Sequence, residues 1–168
     1  LAGHSVTVSS TYDSYGNPLT VKKNYGNGVT ETATNTCNNT VSSSQWLIGR
    51  PVTSSVQYAG NGSTITRSVE RVFSSVNNNL LRETSLPGTS LQLIHGYNYN
   101  TNGTLQSDTL RAGSSVRTTV YVYSGDGIRI SAVTDPAGLT TTRTYDSYGR
   151  LYTQTDHLNN TTTWLYDA

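Results

Sequence analysis

Apolar and polar positions alternate along most of the chain with a period of two, the spacing that separates the two faces of a β-strand. In Val116-Arg117-Thr118-Thr119-Val120-Tyr121-Val122-Tyr123 the valines share one face with Thr118, while Arg117, Thr119, Tyr121 and Tyr123 share the other. Ile65, Arg67, Val69, Arg71 and Phe73 alternate in the same way, as do Leu91, Leu93, His95, Tyr97 and Tyr99. No stretch carries the three-to-four spacing of an amphipathic helix. The alternating runs stop at an aromatic residue; polar residues and a glycine follow, and a Leu or Ile opens the next run. That order predicts a strand, a tight turn using the positive φ that glycine tolerates, and an antiparallel return strand.

The unit recurs. Tyr145-Asp146-Ser147-Tyr148-Gly149-Arg150-Leu151 has a near copy in Tyr12-Asp13-Ser14-Tyr15-Gly16-Asn17-Pro18-Leu19. Degenerate copies run from Tyr99 through Gly103 to Leu105, from Tyr123 through Gly127 to Ile130, and from Phe73 through Asn79 to Leu80. From Phe73 onward the aromatic anchors, ending with Tyr166, follow one another at steps of 21 to 26 residues, one strand-turn-strand unit each. Trp46-Leu47-Ile48-Gly49-Arg50-Pro51-Val52 reads as a further turn copy with Trp as its anchor. Residues 25–44, dotted with Asn27, Asn35, Asn38 and Asn39, read as a longer decorated turn. The expected fold is all-β: repeated antiparallel hairpins in a ribbon-like twisted sheet, with residues 1–168 as one repeat segment, clearest over 123–168.

Composition narrows the function more than the fold. Only 33% of residues are hydrophobic and 12% charged, with 15 Gly and 12 Tyr, which starves helices and leaves at most a thin core. Net charge near zero together with abundant Tyr, Val and Thr argues for order over disorder. Eleven basic against ten acidic residues provide no field for nucleic acid or an anionic membrane. The chain has no Met and starts at Leu1, from which a processed or excised piece is expected, and it stops at Tyr166-Asp167-Ala168, inside a repeat unit. Cys37 is alone, so no internal disulfide forms, and it reads as a small half-buried residue.

Candidate chemistry is sparse. Asp13, Asp146 and Asp167 recur at equivalent positions, which points to a structural role, because a carboxylate beside a tight turn accepts hydrogen bonds from the turn's own N–H groups. Tyr12, Tyr99, Tyr123, Tyr145 and Tyr166 are expected to stack as a ladder across neighbouring strands. His4, His95 and His157 lack the spacing of a zinc site, and Gly125-Asp126-Gly127 has too few acids for calcium, so neither a metal nor another cofactor is expected. No nucleophile elbow or catalytic cluster appears, and the chain is not read as an enzyme. Trp46 and Trp164 are the aromatics best suited to a sugar ring, which makes carbohydrate or cell-surface binding the alternative function.

Tyr145-Asp146-x-x-Gly149-Arg150-Leu151, preceded by Asp135-Pro136-Ala137-Gly138 and followed by Thr155-Asp156 and Tyr166-Asp167, resembles the YD repeat of Rhs proteins and of related toxin-complex and teneurin-type proteins. The resemblance implies a ribbon of stacked hairpins that, in a longer secreted or cell-surface bacterial protein, spirals into a hollow β-shell enclosing a C-terminal toxin segment. The chain's partners would then be the rest of its parent and that cargo. Tyr12, Asp13, Gly16, Leu19, Tyr99, Gly103, Leu105, Tyr123, Gly127, Tyr145, Asp146, Gly149, Arg150, Leu151, Tyr166 and Asp167 would be its repeat-turn residues. The family's aspartyl self-cleavage site uses paired Asp-Pro motifs; Asp135-Pro136 stands without a partner, and that activity is not carried over. Unpaired strand edges in the isolated chain predict edge-to-edge self-association.

Overall fold

A computed structural model describes residues 5–43 and 45–167. His4 and Ala168 lie outside them. The chain divides into two compact units, one ending at Leu93 and the other starting at Ile94. The first holds β1 (Thr7–Tyr12), β2 (Pro18–Gly26), β3 (Val29–Val41), β4 (Trp46–Gly60), β5 (Ser63–Phe73) and β6 (Leu80–Ser85). The second holds β7 (Leu93–Tyr99) from Ile94 onward, β8 (Leu105–Ala112), β9 (Ser115–Tyr123), β10 (Ile130–Thr134), β11 (Thr140–Tyr145), β12 (Leu151–Thr155) and β13 (Thr161–Thr163). Within each unit every strand lies beside the next in chain order, and the pairs are antiparallel. The fold is all-β, with no helix among the described residues.

The strands end where the repeat pattern places them. β1, β5, β7, β9 and β11 close on Tyr12, Phe73, Tyr99, Tyr123 and Tyr145, and β6, β8, β10 and β12 open on Leu80, Leu105, Ile130 and Leu151. In the first repeat the return strand opens at Pro18, one residue before Leu19: Tyr12 pairs with Pro18 as Tyr145 pairs with Leu151, so Pro18 holds the Leu151 position. Leu91, expected in a strand, lies in the turn that precedes β7.

Two expectations need larger correction. The expected decorated turn at residues 25–44 is mostly β3, which alternates in burial from Thr34 to Thr40. Its half-buried positions are filled by Asn35, Cys37 and Asn39, so alternation is present in burial yet invisible in hydropathy. Trp46–Val52 is the start of β4 and contains no turn. Gly49 keeps the positive φ, 74°, but uses it in a bulge, where register shifts between Asn38 and Thr40 on the paired strand. A left-handed glycine serves a bulge as well as a turn.

Among the described residues no hydrophobic side chain is fully buried, and only Thr84, at 5% exposure, counts as buried at all. Stability therefore rests on ladder hydrogen bonds and cross-strand pairs. One face of the second unit is a row of small, mostly β-branched residues, with Val122, Ala132, Thr142 and Thr155 in register across β9 to β12. Threonine hydroxyls join across strands at Thr134–Thr140 (2.9 Å), Thr144–Thr153 (2.6 Å) and Thr155–Thr161 (2.8 Å). Such pairs contribute about 0.2–1 kcal/mol each and satisfy hydroxyls without a core.

Candidate functional site

The turns are built on one hydrogen-bond plan. At Asp146 the backbone N–H donates to the Arg150 carbonyl (2.9 Å), and Gly149 N–H donates back to the Asp146 carbonyl (2.9 Å). The Asp146 carboxylate accepts from Tyr148 N–H (2.9 Å) and Arg150 N–H (2.8 Å). Asp13 repeats the plan with Tyr15 and Asn17, and so do Asp135 and Asp156, which the sequence pattern does not group with it. Asn100 keeps the backbone part. In the turn after Tyr123, Ser124 takes the first position and Asp126, two residues on, accepts from Ile128 and Arg129 N–H. The final residue before the exit needs φ > 0, near 81° at Gly149 and 65° at Asn159.

These donors favour the ionised carboxylate. The Asn17 side-chain amide, helped by backbone donors and Asn39, holds Asp13 down at about 2 against desolvation. The Ser124 hydroxyl and the turn N–H groups push Asp126 well below the ordinary carboxylate range, and the Asn160 side chain lowers Asp156. Desolvation pushes Asp146 up, but the Arg150 guanidinium and turn amides outweigh it and leave it lowered.

Successive repeats are joined at the same positions. Arg150 Nε donates to Asp146 (2.7 Å), and its guanidinium lies 4.3 Å over the Tyr166 ring of the following repeat. The Tyr166 hydroxyl donates to the Leu151 carbonyl (2.8 Å). Arg129 pairs with Asp126 and lies 5.9 Å over Tyr145, whose hydroxyl donates to the Ile130 carbonyl (2.7 Å). Tyr123 likewise donates to the Leu105 carbonyl (3.0 Å). Glycine leaves room for this nesting: a Cβ on Gly149 would fall on the Arg129 guanidinium, and one on Gly127 would meet the Asn102 amide at 2.8 Å. The expected ring ladder is thus replaced by alternation. Among the described residues Tyr123, Tyr145 and Tyr166 make no ring-to-ring contact; an Arg covers Tyr145 and another covers Tyr166, each cation attracted by the negative face of its ring.

The remaining candidates are dispersed. Trp46 is 73% exposed at the start of β4, and Trp164 is half-buried in the other unit, its backbone N–H donating to the Tyr152 carbonyl (2.9 Å). Tyr12 is 60% exposed, Asp167 is exposed near the end of the described residues, and Cys37 is a free half-buried thiol. Sequence reasoning misses a polar chain across β7, β8 and β9. Tyr97 hydroxyl meets His95 Nδ1 (3.0 Å), His95 Nε2 meets Asp108 (3.0 Å), and Tyr121 donates to the other Asp108 oxygen (2.9 Å). Burial, with Asp108 beside it, pushes the Tyr121 phenol up. The period-two spacing of His95 and Tyr97 is the available signal; Asp108 joins them only through strand pairing. No three His, Cys, Asp or Glu side chains among the described residues gather as a metal would need.

Residues 123–157 match the family model described as RHS Repeat. No curated protein matches the chain by sequence. In fold the chain is similar to one in the crystal structure of TcdB2–TccC3–Cdc42, at 15% identity and a TM-score of 0.55, over 93% of this chain and 9% of that one. It is similar to a chain of the Photorhabdus luminescens Tc holotoxin pore carrying a TccC3 mutation, at 14% identity and a TM-score of 0.56, over 96% and 10%. For the crystal structure of TcdB2–TccC3 the values are 15%, 0.52, 93% and 9%. The chain spans about a tenth of the length of these relatives in fold.

Proposed function

We propose that this chain, which matches the RHS Repeat model over residues 123–157 and shares its fold with Tc toxin chains, is a structural length of wall in a secreted protein whose β-shell sequesters a C-terminal toxin segment. The observation that carries the reading is the junction between repeats. At two junctions the turn Asp pairs with an Arg (Asp126 with Arg129, Asp146 with Arg150), the Arg covers the next unit's Tyr, and that Tyr caps the carbonyl of the strand beside it. Such a relay extends by adding units, which suits a wall and leaves the repeat carboxylates and hydroxyls engaged in structure rather than in turnover. The repeat-turn residues act, on this reading, as connectors, and the rest of the parent chain and its cargo are the partners.

The test is limited proteolysis of a longer parent polypeptide, followed by mass spectrometry. A C-terminal segment protected while the repeats are intact supports a container; free digestion of that segment overturns it. The exposed indole of Trp46 favours a second reading, adhesion to a neutral glycan. Glycan-array binding lost in Trp46→Ala would support it, and absence of binding by the unaltered chain would dismiss it.

A further inference from the structure

Among the described residues the repeat junction has one member whose cation is left without an acid. Arg50 lies 4.6 Å over the Phe73 ring, just as Arg150 lies over Tyr166 and Arg129 over Tyr145. In those two repeats the stacked guanidinium is neutralised by a turn carboxylate: Arg150 by Asp146 and Arg129 by Asp126. Four residues before Arg50 the chain has Trp46 instead. Arg50 makes no ion pair with a described residue, and its one side-chain hydrogen bond among the described residues runs from Nη1 to Asn78 Oδ1 (2.7 Å). Its Nε, whose counterpart in Arg150 donates to Asp146, is buried with no acceptor among the described residues. Asn79 Nδ2, on the residue next to Asn78, is the other such buried donor without an acceptor among the described residues.

We infer that Arg50 Nε, together with the amide of Asn79, the residue that follows its Asn78 partner, forms a carboxylate-binding socket in the first unit. Desolvation is the reason. A buried donor without an acceptor costs about 1–3 kcal/mol, more when it is charged, so these groups favour an acceptor-only anion. The other junctions identify its kind, since the Arg150 Nε of the same stacked arrangement takes a carboxylate there. The ligand is a carboxylate, supplied either by an acidic side chain of the flanking parent chain or by a small free acid. The inference does not depend on the shell reading.

The experiment follows the arginine Nε–H resonances of this chain by 1H–15N correlation while sodium acetate replaces sodium chloride at constant ionic strength. The expected result is a saturable shift of the Arg50 Nε–H that Arg150, already bonded to Asp146, does not share. Arg50→Lys keeps the positive charge but removes the Nε donor; in that variant, its amide spectrum otherwise matching that of the unaltered chain, the acetate-induced shifts of neighbouring amides, Asn79 included, should disappear. Equal responses from Arg50 and Arg150, or no response from either, would overturn the socket. The same titration on a longer parent separates the two sources. An Arg50 Nε–H already shifted and insensitive to acetate identifies a side chain of the parent, whereas a retained acetate response identifies a free acid.

Discussion

Two glycines with almost the same φ test what a turn residue contributes beyond backbone freedom. Gly149 (81°) and Gly138 (82°) both need the left-handed region, but a Cβ on Gly138 would meet nothing within 4 Å while one on Gly149 would meet Arg129. Gly138→Ala should cost about 1–2 kcal/mol from φ alone. Gly149→Ala should cost more and also displace Arg129 from Tyr145. Urea midpoints of the two variants check the difference. The carboxylates make a pH prediction at the same scale. Asp13 is lowered in the folded chain to about 2, so the stability it contributes is fully present above the unfolded value of about 3.9 and is lost as pH falls through that window. Asp13→Asn should be less stable at neutral pH, and its deficit should shrink as pH drops from about 4 toward 2. Urea unfolding of both proteins across that range measures it.

At the scale of an element, what matters is how a strand end is closed. β9 and β11 each finish with a Tyr that donates to the first carbonyl of the strand alongside, where the ladder would otherwise fray. Tyr145→Phe keeps the ring under Arg129 and removes only the donor to Ile130. A loss of about 0.5–1.5 kcal/mol is expected, with faster amide exchange at the adjoining ends of β10 and β11. Hydrogen exchange with mass spectrometry resolves this, and unchanged protection there would refute the capping role. β3 makes the complementary point. Its Asn39 accepts from Gly49 N–H (2.7 Å) and donates to Asp13 (2.8 Å), so a polar residue holds a half-buried strand position by satisfying both neighbours.

For the molecule as a whole, the governing fact is that neither unit buries a hydrophobic core among its described residues. Small single sheets without a covering layer depend on pairing, and their outer strands offer N–H and C=O groups to other chains. β1 is exposed along its full length and β13 along all three of its residues. Concentration-dependent self-association of the isolated chain is the expected outcome in sedimentation velocity experiments, weakened by a charged or proline substitution such as Val8→Lys or Ser9→Pro in β1. A monomer at all concentrations, with slow exchange in β1, would refute it.

The strand–Tyr–turn–Leu order is legible in the sequence because it is local: a period of two, a glycine at positive φ and an Asp that bonds its own turn all act within about ten residues. The same locality makes Tyr145 to Leu151 recognisable as a repeat. Residues 25–44 and Gly49 mislead for the converse reason. Whether an Asn-rich stretch turns or pairs, and whether a left-handed glycine serves a turn or a bulge, depends on the strand opposite, which the local string does not contain. The exchange of a Tyr ladder for alternating Arg and Tyr, the nesting of Arg129 on Gly149, and the His95–Asp108 chain are decided by tertiary structure alone. Each joins residues brought together by hydrogen-bond register across strands, and register is a property of the assembled sheet.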